Sequence, residues 1–310
     1  MSPVASLAAS SAPPAAPPAA VVSAFTVDLE DYFQVTGFEA SVPFASWAGH
    51  ESRLEWNTER LLELLAARKT CATFFALGWT AERHPGLIRR IHAAGHELAS
   101  HSYAHRLVYR LSPAAFREDT RRAKAVVEAL TGDPVLGYRA PSFSITRRSL
   151  WALEILADEG FAYDSSIYPI LRDRYGIPGA PRHAFPVRLG AAGLLEIPPT
   201  TLRRLGVNLP LGGGGYLRLF PEALFRRGLA AVIEGERRPA VLYVHPWELD
   251  PEQPRLQAGT RLSRFRHYVN LDKTQARLDR LLAAWRFGPM RDLLASAAGS
   301  PAKTLDQLAA

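Results

Sequence analysis

Short apolar runs alternate along this chain with stretches in which apolar positions recur every third or fourth residue, the pattern of an α/β protein. Residues 21–29 predict a first strand, and acids stand at its end and just beyond: Asp28, Glu30 and Asp31. Over 57–68, Leu61, Leu62, Leu64 and Leu65 fall at helical spacing, with Asn57 placed to cap the helix. Residues 72–77 predict a second, buried strand, and a helix over 85–94 follows, ended by Gly95. A short strand at 97–100, a helix over 113–131, a loop at 137–144 and a helix over 147–160 complete this half.

Beyond Gly160 the pattern changes. Residues 169–221 are rich in Pro and Gly and read as irregular loops and short strands. An apolar strand at 240–244 runs into His245, and residues 274–284 form a last amphipathic helix. No internal repeat is visible. The reading is a disordered Ala/Pro-rich tail over 1–20, a single domain over 21–298 with its own C-terminal region at about 195–290, and a frayed end over 299–310.

Composition changes this picture little. Hydrophobic residues make up 47% and charged residues 22%, ordinary for a globular protein. The net charge of +7 comes mainly from arginines scattered along helical stretches, which reads as a solvated surface and gives no reason to expect nucleic acid as a partner. A single cysteine excludes an internal disulfide framework, and Cys71 reads as a small buried strand residue. The first residues lack a charged start, and prolines at 13, 14, 17 and 18 interrupt any secretory helix. No segment is apolar enough to span a bilayer, and the expectation is a cytoplasmic protein.

The polar residues that follow strands carry the candidate chemistry, because α/β sites form at the carboxyl ends of strands. His101 and His105 stand four apart, which on a helical turn would place both rings on one face to clamp an ion. His92 and His96 share that spacing, but Gly95 breaks the helix between them, so they read as structural. Two imidazoles and one of the strand-end acids would make a three-ligand centre with a position left open for water. Arg139 could hold a catalytic carboxylate ionised and oriented. Asp164 is either a turn residue or functional, and His245 ends an otherwise apolar strand, where a polar group wants a partner. Residues 212–215 are all glycine but lack the lysine of a phosphate loop, and support only flexibility or close approach.

Taken in order, these pieces resemble the polysaccharide deacetylases with a NodB-homology domain, the carbohydrate esterase 4 group. The match runs through Asp28-Leu29-Glu30-Asp31, Ser100-His101 to His105, Arg139-Ala140-Pro141, Asp164 and the strand ending at His245. The start Val27-Asp28-x-Glu30-Asp31-Tyr32-Phe33 is closest to the subfamily encoded with exosortase and PEP-CTERM exopolysaccharide loci. So are Leu211 to Tyr216, His245 to Asp250 and Ser263 to Tyr268, which carry the likeness almost to Phe287.

The resemblance implies a distorted (β/α) barrel and metal-dependent removal of N-acetyl groups from a polysaccharide or oligosaccharide, with a divalent ion, Zn2+ by preference. It implies Asp28 as general base, Arg139 as its orienting partner, and His245 as general acid tuned by Asp164. His101 and His105 would be ligands, with Glu30 favoured over Asp31 as the third because Leu29 follows Asp28. Tyr168 and Trp247 would line the sugar pocket. The rival readings are an amidohydrolase of small amides or cyclic ureides, and a glycan-binding homologue without catalysis.

Overall fold

The computed structural model describes residues 21–310 apart from 173, 191 and 298, so the tail expected over 1–20 lies outside the described residues. In chain order the strands are β1 (Ser23–Leu29), β2 (Thr73–Ala76), β3 (Glu97–Ser100), β4 (Gly137–Tyr138), β5 (Tyr163–Asp164), β6 (Phe185–Leu189), β7 (Ala192–Glu196), β8 (Thr201–Arg204), β9 (Val207–Pro210), β10 (Val241–Val244) and β11 (Phe287–Gly288). Nine of them make one sheet, ordered β10-β1-β2-β3-β4-β5-β7-β6 with β11 also on β1, while β8 and β9 pair apart from it. Every pairing in the large sheet is parallel except β6 with β7. This is the expected distorted (β/α) barrel; among the described residues no pairing joins β6 back to β10, so the ring is open there.

The helices that cover the sheet's outer face begin with α1 (Leu54–Ala67), α2 (Gly78–Arg83), α3 (Pro85–Ala93), α4 (Pro113–Thr131) and α5 (Trp151–Asp158). Alternation along β1 decides which side chains meet them. Phe25, Val27 and Leu29 join Phe74 and Ala76 of β2, Leu61 and Leu65 of α1 and Leu242 and Val244 of β10 in one apolar cluster. The other face of β1 therefore presents Thr26 and Asp28 to the barrel interior, toward the strand's carboxyl end.

Several local expectations need correction. Asn57 lies inside α1, which starts at Leu54, and its amide nitrogen donates to Asp250 Oδ2 at 3.4 Å. Helix α2 was not foreseen, because it is one short turn between two stronger signals. Cys71 is exposed, since β2 begins only at Thr73. Residues 299–310 do not fray. A last short helix (Leu305–Ala309) is closed by a capping box between Thr304 and Gln307, and Leu308 is buried. The Lys303 backbone donates to Pro186 O and accepts from Arg188 N, both at 2.8 Å, so the tail satisfies the free edge of β6.

Candidate active site

Asp28 leaves β1 beside a buried guanidinium. Arg139 follows β4, is fully buried, and lies 4.1 Å above the Phe75 ring. One terminal nitrogen donates to both Asp28 Oδ1 and Thr26 Oγ1 at 2.7 Å, and the other to Ser165 Oγ at 3.1 Å. Charge-assisted bonds of this kind hold a carboxylate anionic and fixed in direction.

Next to it stands a group of three. Glu30, His101 and His105 each present a ligand atom, all within 4.8 Å of one another, and all three side chains are buried. The two histidines do not lie on a helix. They flank a loop after β3 in which Ser102 (φ 69°) and His105 (φ 52°) take left-handed conformations, stabilised where His105 N donates to Ser102 Oγ and Tyr103 N to Asp119 Oδ2. Burial pulls the His101 imidazole down to about 4, so it is neutral. Its Nδ1 donates to Arg139 O at 2.8 Å, which leaves the Nε2 lone pair free to ligate. Burial would raise the Glu30 carboxyl, but the imidazoles of His105 and then His245 outweigh it and hold it at about 2. Glu30 Oε2 lies 2.9 Å from His105 Nε2, yet makes no well-formed hydrogen bond. An anionic oxygen without a partner beside two imidazole nitrogens fits a divalent cation by both donor chemistry and spacing.

Asp31, expected as the alternative ligand, lies outside this group. Its carboxylate accepts from Ser52 Oγ at 2.6 Å and from the backbone nitrogens of Tyr32 and Arg53, each at 3.1 Å, which fixes the loop leading to α1.

His245 follows β10 on the opposite side of Asp28. Its Nε2 is 3.2 Å from Glu30 Oε1 and 3.9 Å from Asp28 Oδ2. With 16% of its side chain exposed against 5% or less for Asp28, Glu30 and His105, it stands nearest the opening. Its Nδ1 partner is not Asp164 but Glu248, at 2.7 Å. Burial would drain the His245 proton, but the Glu248 bond and the surrounding carboxylates win and lift it to about 9. Glu248 is itself fully buried; burial favours its neutral form, but the Arg218 charge and the His245 bond hold it down at about 2. Arg218 Nε donates to Glu248 Oε2 at 2.6 Å, and its terminal nitrogen to His267 O and Val269 O.

Asp164 has other work. It accepts from Ser166 Oγ at 2.5 Å, and Ser166 in turn accepts from Ala140 N, so it props the loop that carries Arg139. It faces Glu196 across β5 and β7, where burial raises both carboxyls and Glu196 remains protonated to bond with it. Tyr168 and Trp247 are also displaced from their expected place at a sugar surface. Tyr168 is fully buried, with its hydroxyl accepting from Gly212 N at 3.1 Å. Trp247 is sandwiched between His245 (5.0 Å) and His267 (4.1 Å), with rings within 20° of parallel, and so fixes the plane of the imidazole.

Sequence reasoning missed Glu248 and Arg218. The first had a signal: a proline directly after His245 and a glutamate three residues on is the spacing of a capping box, and the box is formed here. Arg218 had only the glycines. Gly213 (φ 119°) lies so close to β10 that a Cβ would sit 2.1 Å from Tyr243 O, and Gly214 N donates to that oxygen at 2.8 Å. The run thus closes on the protein's own strand, then opens helix α6 (Gly215–Leu219), which carries Arg218 to Glu248. The other histidine pair is structural, as expected: His92 Nε2 meets Asp133 at 2.7 Å and His96 Nδ1 accepts from Ala72 N at 3.1 Å.

Comparison with known proteins agrees with this geometry. Residues 49–161 match the family model described as Polysaccharide deacetylase. That segment is similar to the polysaccharide deacetylases. Residues 165–295 match a second model, described as a domain of unknown function, DUF3473. The chain is 30% identical over 98 residues to a peptidoglycan-N-acetylglucosamine deacetylase of Bacillus cereus, covering 31% of this chain and 36% of that one. It is 28% identical over 100 residues to a chitooligosaccharide deacetylase of a Bradyrhizobium species, covering 32% and 43%. The chain thus spans less than half the length of these relatives. Among solved structures, a Mycobacterium smegmatis protein assigned to the polysaccharide deacetylases superposes with a TM-score of 0.59 at 20% identity, covering 93% of this chain and 96% of that one. The Puue allantoinase superposes at 0.57 and 18%, covering 90% and 91%. Both show the fold. Within the site the segment of the first model supplies His101, His105 and Arg139, that of the second supplies Arg218, His245 and Glu248, and Asp28 and Glu30 precede both.

Proposed function

We propose that this protein hydrolyses N-acetyl groups on an amino-sugar polymer or oligomer, releasing acetate and a free amine. One observation carries the reading: an aspartate fixed by Arg139 and a protonated histidine fixed by Glu248 stand 3.9 Å apart beside the Glu30, His101 and His105 group. A carboxylate base beside an imidazolium acid is what an amide hydrolysis needs.

Glu30, His101 and His105 would hold a divalent cation, zinc by its preference for nitrogen and carboxylate donors, which would polarise the acetamido carbonyl and acidify water. Asp28 accepts the proton of the attacking water; Arg139 keeps it anionic and aimed. His245 gives its proton to the departing nitrogen, so that the C–N bond breaks to a neutral amine. Glu248 holds that imidazole by Nδ1 and keeps its Nε2 side charged until the transfer. The substrate class is supported by the relatives' actions on peptidoglycan and chitooligosaccharides, and an exopolysaccharide by the likeness to the exosortase-associated subfamily together with the DUF3473 match.

The test is acetate release from chitooligosaccharides and exopolysaccharide, with and without chelator, beside a panel of small amides and cyclic ureides. Asp28→Asn and His245→Ala are expected to keep the fold and cation binding and to lose about a hundredfold or more in turnover. Undiminished turnover in either variant, turnover indifferent to chelator, or turnover confined to the ureides would refute the proposal.

A further inference from the structure

The hairpin of β8 and β9 stands outside the main sheet and holds apolar side chains out toward solvent, the tip residue almost wholly so. Leu205 at its tip is 97% exposed, Val207 60% and Leu209 42%. Arg204 pairs with Val207, so Leu205 and Gly206 form a two-residue turn, and both have positive φ, 46° and 78°. Such turns favour Asn-Gly, because asparagine tolerates the left-handed region and leucine does not. The sequence thus bears a strained backbone to hold out a side chain that the fold leaves almost wholly exposed. An outlier of that kind points to a partner.

The charge around it says which partner. Arg203 and Arg204 are exposed beside Leu205. Asn208 of β9 donates to Pro169 O at 2.7 Å, and close to that carbonyl along the chain Leu171 is a further 80% exposed. A stable protein interface needs about 800 Å² from each side, more than one hairpin tip supplies. A bilayer needs only a few apolar side chains that enter it and cations that meet its headgroups. We propose that this hairpin docks the protein on an anionic membrane surface, with Leu205 and Val207 in the acyl boundary and Arg203 and Arg204 at the phosphates. The second strand of the hairpin runs through Pro210 and Leu211 into the glycine seam on β10, so docking would hold the opening beside His245 at a fixed station near the bilayer.

The test is co-sedimentation of the full chain with vesicles of phosphatidylcholine alone or mixed with phosphatidylglycerol, at low and high salt. The full chain is expected to bind the mixed vesicles, less so in high salt, and to leave the neutral ones. Leu205→Asn should lower partitioning about tenfold, while melting at an equal or higher temperature because asparagine suits the turn. A double change of Arg203→Gln and Arg204→Gln should weaken binding and flatten its salt dependence. Absence of binding to the mixed vesicles, or Leu205→Asn binding as tightly as the parent, would overturn the proposal. So would a concentration-dependent dimer that Leu205→Asn dissolves in a chain that ignores vesicles.

Discussion

Glu248 shows how one buried carboxylate sets the behaviour of a residue it does not share a strand with. It binds His245 Nδ1 on one oxygen and Arg218 on the other, and it is fully buried. Replacing it with glutamine removes the negative charge that lifts His245, so the imidazole loses its proton at lower pH. The alkaline limb of the rate profile should then move toward acid, and kcat should fall about a hundredfold with KM little changed. The same change leaves Arg218 buried without its counter-charge, and should cost about 3 kcal/mol in urea unfolding. Rates are therefore to be compared on folded protein. A profile that keeps its alkaline limb in place would remove Glu248 from this role. At this scale the sequence was legible where strand ends announced themselves: Asp28, Glu30, His101, His105, Arg139 and His245 all fell into one site. The partner of His245 was read as Asp164 because family order suggested it, whereas the spacing to Glu248 was local and physical.

Among the elements, the strands and long helices were visible in their periodicity, and α4 matched its expected bounds because Pro113 and Gly132 punctuate it. The loop after β3 was not. Two histidines four apart suggest a helical turn, but the left-handed backbone at Ser102 and His105 bends the loop so that both rings converge without one. Spacing was right for a reason other than the one assigned. The glycine seam was equally hidden, since a run of four glycines states that something comes close but not what. Gly213→Ala tests its importance. With φ at 119° and Tyr243 O 2.1 Å from the new Cβ, the seam must open, and a loss of roughly 2 kcal/mol or more is expected from thermal or urea unfolding. Activity should fall further than stability alone explains, because His245 lies two residues past Tyr243 on the same strand.

Over the whole molecule, the two family models meet in one sheet instead of marking two folding units. Strands β6, β7 and β10 come from the DUF3473 segment, yet β7 pairs with β5 and β10 with β1. Fragments ending at 161 and beginning at 165 should each fail to give a cooperative unfolding transition, while their co-expression restores one. A stable, independently melting C-terminal fragment would show that the segment is a module after all. The shared α/β sheet was legible from the continuous alternation of elements, but the lone hairpin and the docked tail were not.

The position of β10 beside β1 has a consequence for biosynthesis. Strand β1 keeps one long edge bare until some two hundred further residues have been translated, since its neighbour there is Val241–Val244. Asp28 stands on one of those strands and His245 directly follows the other, so the two cannot meet before residue 245 has emerged. Closure of that distant pair is the slow, high-separation contact on which acquisition of the native state waits.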